Sequence, residues 1–595
     1  MPFDGLAIAA LCRELGPQLE NQRIERIYQP EKDEIIISVR RRKDSRLLIS
    51  ANPRWARFHT TNERKENPAV PPGFCMLLRK HLEGGRIKAI TQVDFERIVE
   101  IRVEALNDLL EWTDKVLVCE FMGKHSNIIL LDPETGTIID AIKRYSNEVS
   151  SYREVLPGKP YIAPPSQGKL HPLKASLEQV AERLWREPGR SLSQAIFAVY
   201  SGFSPFAARQ VCHQAGLDPD LPAGECGEFE ISTIFAACRS LVEQVTTGYA
   251  RPTVLVSRQG EAVEFAPYTL IPDNRDSSTC IPFATTSQLV DSFFQEKLTR
   301  ARMDSLKTNL LRLVKSHLDK SYRRRFLLEE DLAQARASEK FKLWGELLTA
   351  YAYQLKKGRA KVELHNYYTG EPVTIDLQPH LSPIDNAQRY FRAYNKAKAS
   401  IYHASMRLRT TDDEIVYLES VAVALQQAET AIELDEIVEE LGKEGYISEK
   451  TRRFCPSGER SKPRVFTSSD GIQILVGRNN RQNDQLTMRE SDRNDLWLHA
   501  KDVAGSHVII RLPKYVKDIH QVPDRTLEEA ALLAAYYSKA RGEEKVPVDY
   551  TFRQNVRKPK GAKPGRVLYE NYWTIYVNSS DARLGRMVTP ADQHP

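Results

Sequence analysis

Short runs in which apolar and polar residues alternate dominate the first 175 residues of the chain. These runs are EIIISVR, RLLISA, ERIVEIRVEA, KVLVCEF, SNIILLD and TIIDAIKR, and Asp, Asn or Gly residues bound them. A period of two between turn residues is typical of β-strands. Helical spacing is found at residues 6–15 and around residues 74–82. The pattern predicts an α+β domain over residues 1–175, with the Pro- and Gly-rich stretch 156–169 as its exit linker.

Helices follow this domain. The segments SLEQVAERLW, SLSQAIFAVY and FAARQVCHQAG have helical spacing, and the turn SGFSP separates the last two. Gly202 and Pro205 open the third helix, so its first backbone N–H groups lack intrahelical partners and could receive a phosphate. We predict a helix-hairpin-helix domain with a connector over residues 176–282. Two packed helices joined by an ordinary Gly-Pro turn are an equally good interpretation.

A long stretch with helical spacing begins near residue 283. It contains no proline up to residue 371, and apolar residues recur every three or four positions at Leu311, Val314, Leu318, Tyr322 and Phe326. This spacing predicts one long helix or two nearly continuous ones.

A hairpin and a second long helix complete this region. Thr369 and Gly370 supply the hairpin turn. Ser382 fits an N-cap with Pro383 at the first helical position, and this helix should end near Gly442. The sequence therefore predicts a long antiparallel coiled coil with a β-hairpin tip over residues 283–445.

Strand patterns return after Cys455. PRVFTS, IQILVGR, DLWLHA and HVIIRL precede a predicted helix at residues 526–541, and VDYTF and YWTIYV follow it. Residues 446–595 are therefore predicted to form a C-terminal α+β domain. The basic segment RKPKGAKPGR at 557–566 lies between two strands, which favours a loop over a helix.

Composition and cysteine usage exclude several classes of protein. The 595 residues suggest about four folding units, and 28% charged with 41% hydrophobic residues is ordinary for a folded chain. No apolar run is long enough for a membrane span, and the start of the chain lacks a basic signal-peptide region. Eight cysteines without a Cys-x-x-Cys pair predict neither a zinc site nor a disulfide framework. We expect a soluble cytoplasmic protein with no metal, no cofactor and no membrane partner.

Charge is distributed unevenly, although the net charge is only +6. Residues 297–325 hold ten basic and two acidic side chains, whereas residues 412–440 hold ten acidic and no basic ones. If the two long helices fold back about a tip near Thr369, residue 325 lies beside residue 413 and 297 beside 441. A third stretch, 551–566, holds six basic residues and no acid. Such basic stretches suggest a polyanion partner, and a solvated face is the alternative.

Four passages carry a family resemblance: MLLRKHLEGGRI, FERIVEI, EFMGKHSNIILLD and DLWLHAKDVAGSHVII. With NAQRYFRAYNKAK, they make the chain resemble the NFACT family from end to end. The resemblance implies an NFACT-N domain, a helix-hairpin-helix domain, a coiled coil and an NFACT-R domain. It also implies a ribosome quality-control factor that binds obstructed large ribosomal subunits carrying peptidyl-tRNA. Such a factor recruits alanyl-tRNA and promotes untemplated C-terminal alanine tails that mark the stalled chain for degradation. The ribosome performs peptide transfer, so we expect an adaptor without a catalytic residue.

The resemblance also indicates a tRNA site in the first domain. In the family, an Asp-Arg pair and a downstream Glu-x-Met-Gly segment are associated with tRNA recruitment, and the pair here is Glu96-Arg97, whose acid is one methylene longer. The arginine can bind a phosphate or a base edge, and the carboxylate can accept from a base amino group. The further predicted tRNA contacts are Glu120, Phe121, Met122, Lys124, His125, Asn127, Arg79 and Lys80. An ion pair on the strand surface and a solvated helix face are the alternatives.

Basic residues of the C-terminal domain are predicted to contact rRNA. They are Arg478, His499, Lys501, Arg557, Lys558, Lys560, Lys563 and Arg566. Aromatic and basic side chains on a sheet can stack on bases and hold phosphates. Trp497 alternates with two leucines and is more consistent with the core.

Two other functions are open at this point. A DNA-repair lyase related to formamidopyrimidine-DNA glycosylase would use an N-terminal proline amine, and this chain begins Met-Pro. However, Phe3-Asp4 replaces the glutamate that follows that proline in those enzymes, and no four-cysteine finger follows. A fibronectin-binding adhesin is the second alternative, and the sequence shows no secretion or sorting signal for it. The sequence does not reveal which amino acid is added or the oligomeric state.

Overall fold

The computed structural model describes residues 3–40, 46–107, 109–148, 152–248, 251–258, 260–272, 278–448, 460–513, 515–516 and 518–587. The chain divides into two compact units, Met1–Arg300 and Ala301–Pro595. Within these described ranges, no helix combines the length and the apolar character that crossing a membrane requires.

The first part of the first unit contains two antiparallel sheets and two helices, as predicted for an α+β domain. The helices are α1 (Gly5–Leu19) and α2 (Gly73–Leu82). One sheet has the order β1-β2-β3-β4 and the other the order β5-β6-β7-β8-β9. Their strands are β1 (Ile24–Glu31), β2 (Glu34–Val39), β3 (Arg46–Ser50), β4 (Arg57–Thr61), β5 (Arg86–Gln92), β6 (Ile98–Leu106), β7 (Trp112–Glu120), β8 (Asn127–Asp132) and β9 (Thr137–Ala141).

Four helices and a small sheet complete the first unit. The helices are α3 (Leu177–Trp185), α4 (Leu192–Val199), α5 (Pro205–Ala215) and α6 (Glu228–Thr247). The strands are β10 (Thr253–Val256), β11 (Ala262–Ala266) and β12 (Thr279–Pro282), in the order β11-β10-β12. This sheet lies in a segment that was predicted only as a connector.

Two hydrophobic clusters join segments that are distant in the sequence. In one, Phe3 and Phe58 pack with Phe293 and Phe294, which lie on the first turns of α7 (Thr286–Arg336). The other joins α1 and its neighbours to α3–α6, and Leu6 belongs to it. Burying a large apolar side chain stabilises by roughly 1.5–3 kcal/mol, so these contacts bind residues 1–175 firmly to the segments that follow.

The helices of the second unit follow the predicted pattern with one interruption. After α7 come α8 (Lys340–Ala350), the hairpin β13 (Lys361–His365) and β14 (Pro372–Asp376), then α9 (Pro383–Gln427) and α10 (Ala431–Lys443). The expectation of one helix continuing to Gly442 was wrong. Ala428 adopts an extended conformation after α9, and the Thr430 hydroxyl accepts from the backbone N–H of Glu433 at 3.3 Å, which caps a new helix.

Side-chain contacts place α7 antiparallel to α9. Arg325 lies 4.0 Å from Asp412, one residue from the predicted neighbour, and Arg324 lies 3.3 Å from Glu414. Further along, Lys307 donates to the carbonyls of Gln426 and Ala428. As one residue number rises the other falls, which is the antiparallel direction.

The C-terminal domain is built on a six-stranded sheet in the order β15-β16-β18-β17-β19-β22. Its strands are β15 (Arg464–Thr467), β16 (Gln473–Val476), β17 (Leu496–Ala500), β18 (Val508–Ile510), β19 (Val546–Phe552) and β22 (Trp573–Val577), with β20 (Val556–Arg557) and β21 (Leu568–Tyr569) as a separate pair. Its helices are α11 (Asn480–Gln485), α12 (Asp524–Tyr536) and α13 (Ala582–Met587).

Helix α12 ends at Tyr536, five residues before the predicted end at residue 541. The backbone beyond it pairs with another segment: Ser506 donates to the Tyr537 carbonyl and Lys539 to the Ala504 carbonyl. These bonds use groups that a longer helix would need. The strands predicted for this domain are confirmed, and residues 558–566 form neither helix nor strand, whereas Arg557 is the last residue of β20.

Chemical cross-linking can test the register of α7 and α9. With Cys12, Cys280 and Cys455 replaced by serine, a short bis-maleimide should join Arg325→Cys to Asp412→Cys within one chain. The pair Arg325→Cys and Ser400→Cys is the control, because it is offset by about 18 Å along the helix. Equal yields from the two pairs, read by peptide mass spectrometry, would contradict the register.

Candidate nucleic-acid interface

The loop between β5 and β6 carries the predicted tRNA-contacting pair in a fixed backbone conformation. Asp94 and Phe95 both have positive φ, 43° and 59°. The side chain of Gln92 donates to the carbonyls of Gly5 and Glu96, both at 2.9 Å. A positive φ on a residue with a side chain is held only when surrounding contacts require it. The loop is therefore shaped before any ligand binds.

Gly202 is required by the close approach of this loop to the helical part of the first unit. A Cβ atom at Gly202 would lie 2.5 Å from the Phe95 carbonyl oxygen, and its φ is +79°. The backbone N–H of Gly5 donates to the Gly202 carbonyl at 2.8 Å. This turn was predicted either to open a phosphate-binding helix or to be an ordinary Gly-Pro turn, and in the structure Gly202 accommodates the loop.

The N-terminus of α5 also has a protein partner. The Ser204 hydroxyl accepts from the Ala207 N–H at 3.1 Å and donates to the Asp4 carboxylate at 2.6 Å. Burial raises the pKa of Asp4, and the Ser204 bond opposes that rise. One of the N–H groups expected to receive a phosphate is thus capped by this serine.

The side chains of Glu96 and Arg97 have different surroundings. The Ser201 hydroxyl donates to Glu96 Oε1 at 2.9 Å, so this carboxylate is held in place although it is one methylene longer than aspartate. Arg97 is partly exposed, and among the described residues no hydrogen bond or ion pair engages its guanidinium. The arginine is therefore available to a ligand beside a fixed carboxylate.

Sheet register brings the second predicted segment to this pair. Ile98 pairs with Glu120 across β6 and β7, and the Phe121 N–H donates to the Arg97 carbonyl at 2.9 Å. After Phe121 the chain turns through a short 3-10 helix at Gly123–His125. Lys124 and His125 are exposed on it, and no described residue pairs with their side chains. Arg97, Lys124 and His125 therefore have accessible side chains at this end of β6 and β7.

Other members of the predicted set are interior. Glu120 is 0% exposed and accepts two bonds from Arg153, at 2.7 and 2.5 Å, and one from the Tyr161 hydroxyl at 2.9 Å. Phe121 is stacked on Phe58 with ring centroids 5.6 Å apart. Both side chains are enclosed by protein, so they can fix the conformation of the segment that follows β7 but cannot contact RNA directly.

Asn127 and Arg79 bind the protein backbone. The Asn127 amide donates to the Lys143 carbonyl at 2.9 Å and accepts from the Lys143 N–H at 3.0 Å. Arg79 donates to the Ile27 carbonyl at 2.8 Å and lies 3.6 Å from Glu83. Lys80 is exposed on α2, and Met122 is partly buried. An arginine held by backbone and carboxylate has less capacity left for phosphate than Arg97 has.

A cleft of about 790 Å³ lies beside the Glu96 loop. Phe95 and His171 line it with ring centroids 5.7 Å apart, and its charged lining consists of Arg13, Lys88 and Lys174 together with Glu20 and Asp94. Burial lowers the pKa of His171, and the nearby Lys174 lowers it further. The cleft extends the accessible surface of the candidate site away from Arg97.

In the C-terminal domain, five of the predicted rRNA-contacting cations form ion pairs within the second unit. The pairs are Arg478 with Glu433, Lys501 with Asp549 at 3.6 Å, Lys558 with Asp484 at 2.5 Å, Lys563 with Glu444 at 2.6 Å and Arg566 with Asp413 at 3.3 Å. Three of these acids lie on or next to α9 and α10. The acidic run 412–440 thus pairs with the C-terminal domain as well as with α7, which local sequence patterns could not reveal.

Lys563 illustrates how closely the basic loop is held. Its ammonium lies 5.1 Å from the ring centre of Tyr417 and 5.3 Å from that of Tyr446, in addition to its bond to Glu444. Arg557 and Lys560, by contrast, are exposed, and no described residue pairs with their side chains. Of the five cations in the loop, these two are therefore the ones that are exposed without a described partner.

Trp497 is fully buried, which confirms its place in the core. Its ring is stacked on His499 at 5.7 Å and meets His507 at 5.4 Å. Burial lowers the pKa of His499 and lowers that of His507 to about 3. Both imidazoles are therefore neutral at pH 7, and His499 supplies an aromatic surface and not a charge.

Two matches identify the class of protein. The family model of the NFACT N-terminal and middle domains matches residues 4–458, and that of the NFACT protein RNA binding domain matches residues 462–571. The chain therefore belongs to the NFACT family and carries its RNA-binding domain. The mixed α and β content predicted for the two ends of the chain agrees with this assignment.

Individual relatives show which group of NFACT proteins this chain is similar to. A Bacillus subtilis protein named Rqc2 homolog RqcH is 38% identical over 589 residues, covering 97% of this chain and 98% of that protein. Ribosome quality control complex subunit 2 of Saccharomyces cerevisiae is 32% identical over 133 residues, or 22% of this chain and 12% of that protein. The chain is thus placed with the Rqc2/RqcH ribosome quality-control proteins.

A solved structure with a similar sequence is the N-terminal part of a fibronectin/fibrinogen-binding protein from Streptococcus suis. It is 30% identical and covers 49% of this chain and 99% of that chain, with a TM-score of 0.41. With a TM-score below 0.5, the similarity between the two chains is one of sequence.

Glu440 of α10 offers a pH-dependent test of how α10 packs on the C-terminal domain. Burial raises the pKa of this carboxyl from 4.5 to about 7, although Asn480 donates to it at 3.0 Å. Between pH 4.5 and 7 the folded chain therefore keeps a proton on Glu440 that the unfolded chain has already released. The free energy of unfolding thus falls as pH rises through this window. Glu440→Gln should raise stability at pH 8 by roughly 1–3 kcal/mol and change little at pH 4.5.

Urea unfolding at the two pH values measures this effect, with exposed Glu429→Gln as the control. An equal gain from both substitutions would contradict the assignment, as would a gain for Glu440→Gln that does not depend on pH.

Proposed function

We propose that this chain is a ribosome quality-control adaptor of the cytoplasm that promotes untemplated alanine tailing. It binds large ribosomal subunits that still carry peptidyl-tRNA and recruits alanyl-tRNA to them. The peptidyl transferase centre of the ribosome then forms the peptide bonds. The resulting C-terminal tail marks the stalled chain for degradation.

The observation that supports this proposal best is the arrangement around Arg97. The pair associated with tRNA recruitment in the family lies on a loop fixed by positive φ angles, and the bond from Phe121 to Arg97 brings the second family segment to it. A preformed site spends less of its binding energy on ordering the loop when the ligand arrives. Arg97, Lys124 and His125 can then contact RNA, while Ser201 holds the Glu96 carboxylate for a base edge.

The interior residues of the first unit have a supporting role in this proposal. A buried carboxylate held by a bidentate arginine, as Glu120 is by Arg153, keeps the end of β7 in one position. That position determines where the Gly123–His125 turn presents its two exposed side chains. The Glu-x-Met-Gly segment would therefore act through its shape, with Glu120 as a positioning residue.

Neither alternative function is proposed. Phe3 is 2% exposed in the core and Asp4 caps α1, so the chain next to the N-terminal proline is enclosed by protein, which does not favour a lyase nucleophile there. For an adhesin, no described feature favours fibronectin as a ligand over RNA.

Arg97→Ala tests the tRNA site. Loss of one arginine contact at a base edge costs about 1–3 kcal/mol, so tRNA should fall well below the wild-type level among the RNAs that co-purify with the variant. Sequencing these RNAs measures the effect and should show one tRNA together with large-subunit rRNA for the wild type. Binding to large subunits should persist.

Arg102→Ala is the matched control, because Arg102 is an exposed arginine on β6, the strand that begins directly after Arg97. Wild-type levels of tRNA on the Arg97 variant would exclude the proposed site. If the wild-type chain enriched no tRNA, the function itself would be contradicted.

The basic loop of the C-terminal domain gives a second test. Replacing the accessible Arg557 and Lys560 with glutamine should weaken binding to large subunits and reduce the log-log salt slope by about one unit per lost phosphate contact. Replacing the paired Lys558 and Lys563 should instead lower thermal stability, because Asp484 and Glu444 lose their partners. Sedimentation at several salt concentrations and thermal melts measure the two effects. Equal slopes for the first variant and the wild type would remove this loop from the interface.

A further inference from the structure

An exposed group of aromatic rings lies at the edge of the C-terminal sheet. Tyr572, Trp573 and Tyr576 are 46%, 42% and 61% exposed, and they lie on or next to β22, the last strand of the sheet. Large apolar side chains exposed singly are ordinary, whereas neighbouring ones mark contact surfaces. None of these three residues was among the sequence-predicted RNA contacts.

Strand register assigns the rings to two faces. Tyr576 pairs with Pro547 and Trp573 with Tyr550 on β19. Side chains alternate along a strand, and Ile575 packs in the core shared with α12, so Tyr576 points to the opposite face. The Lys501 N–H donates to the Pro547 carbonyl, which places Lys501 in the same row as Tyr576.

Each exposed tyrosine of the open face has a lysine beside it. The Lys501 ammonium lies 5.1 Å from the ring centre of Tyr572, and the Lys545 ammonium lies 5.1 Å from that of Tyr576. An aromatic ring paired with a cation is the combination that binds an unpaired base together with its phosphate. We call Tyr572, Tyr576, Lys501 and Lys545 the ring platform.

Side chains beneath the ring platform hold Tyr572 and Lys501 in position. The buried Asp549 carboxylate accepts from the hydroxyls of Tyr569 at 2.8 Å and Thr574 at 2.6 Å, and Lys501 lies 3.6 Å from it. Tyr569 contacts Tyr572 edge to face with ring centroids 5.2 Å apart. These contacts fix the position of Tyr572 and Lys501 without a ligand.

Charge near the platform is balanced, which separates it from a simple phosphate patch. Asp502, Glu543 and Glu544 are exposed close in sequence to the two lysines. Long-range attraction for a polyanion is therefore small here, and binding would depend on ring stacking. The family's RNA-binding model covers residues 462–571, which include both lysines and end one residue before Tyr572, and this favours RNA over a peptide as the occupant of the adjoining surface.

We propose that the ring platform binds single-stranded RNA, with Tyr572 and Tyr576 stacking on unpaired bases and Lys501 and Lys545 contacting the adjoining phosphates. The proposal rests on the proposed function in one respect, namely that the C-terminal domain contacts rRNA. It adds the mode of contact, which is stacking on unpaired bases and not recognition of a duplex backbone. Because the last strand of the sheet carries the platform, a single strand can pass along it without meeting a further β-strand of the described sheet.

Fluorescence anisotropy with the full-length chain tests the platform. The probes are a labelled oligouridylate of about a dozen nucleotides, the same strand in a duplex, and inorganic polyphosphate as a competitor. The double variant Tyr572→Ala with Tyr576→Ala should bind the single strand at least about fivefold more weakly for each lost ring. The duplex should bind the wild type more weakly than the single strand does.

Two controls separate stacking from folding. Tyr515→Ala removes an equally large ring that is 78% exposed elsewhere, and it should leave binding unchanged. Tyr572→Phe with Tyr576→Phe keeps both rings and should restore the affinity. Wild-type affinity of the double alanine variant would overturn the proposal, and so would complete competition by polyphosphate.

Sedimentation with large ribosomal subunits distinguishes this proposal from the proposed function. If the alanine variant keeps its oligonucleotide affinity but loses subunit binding, the rings contact a ribosomal protein and the RNA proposal is wrong. If the wild-type chain fails to bind subunits yet binds the single strand through the rings, the proposed function fails while the platform stands.

Discussion

A buried carboxylate is stable only when hydrogen-bond donors surround it, and this requirement determines how α10 packs against the C-terminal domain in the second unit. Glu433, Glu436 and Glu440 on α10 are 2%, 8% and 2% exposed. Arg478 binds the first, Asn479 donates to the second at 2.7 Å, and Asn480 donates to the third. Removing one partner of such a buried pair typically costs several kcal/mol, so α10 and the start of α11 can meet in few other ways. The same logic applies in the first unit, where Arg153 fixes Glu120 at the end of β7.

This requirement explains why the predicted rRNA-contacting cations divide into two kinds. Most of them complete the hydrogen bonding of acids that lie far away in sequence, as Lys563 does for Glu444. Their charge is largely balanced before any RNA arrives. Of the eight predicted side chains, Arg557 and Lys560 are the two that are exposed without a described partner, and the exposed rings of Tyr572 and Tyr576 add a surface that was not predicted. Basic composition therefore overstates the phosphate-binding capacity of this domain, and exposed aromatic rings supply a contact of a different kind.

Local patterns predicted most of the elements, although not β10–β12, because strand alternation, the Ser382-Pro383 cap and the apolar spacing along α7 are properties of short segments. Charge matching even placed Arg325 within one residue of its neighbour. Patterns of this kind could not show that Phe95 adopts a positive φ, that Gly202 makes room for it, or that Asp413 pairs with Arg566. These features depend on contacts between segments that are distant in sequence, and the spacing of apolar and polar residues within one segment does not indicate such contacts. The one helix break that was missed, at Ala428–Thr430, leaves only a threonine cap as its signal.

The core contacts of α7 have a consequence for synthesis of this protein on the ribosome. Phe293 and Phe294 fill the same cluster as Phe3, and the N–H groups of Thr286 and Ser287 donate to Glu14. Residues near Phe3 therefore leave the exit tunnel long before residues near 290, and their packing is incomplete until those residues emerge. Until then, α1 and the sheets β1–β4 and β5–β9 expose apolar surface to which chaperones can bind. A member of the ribosome quality-control family would thus itself be left incompletely packed by an interruption of its synthesis before residue 294.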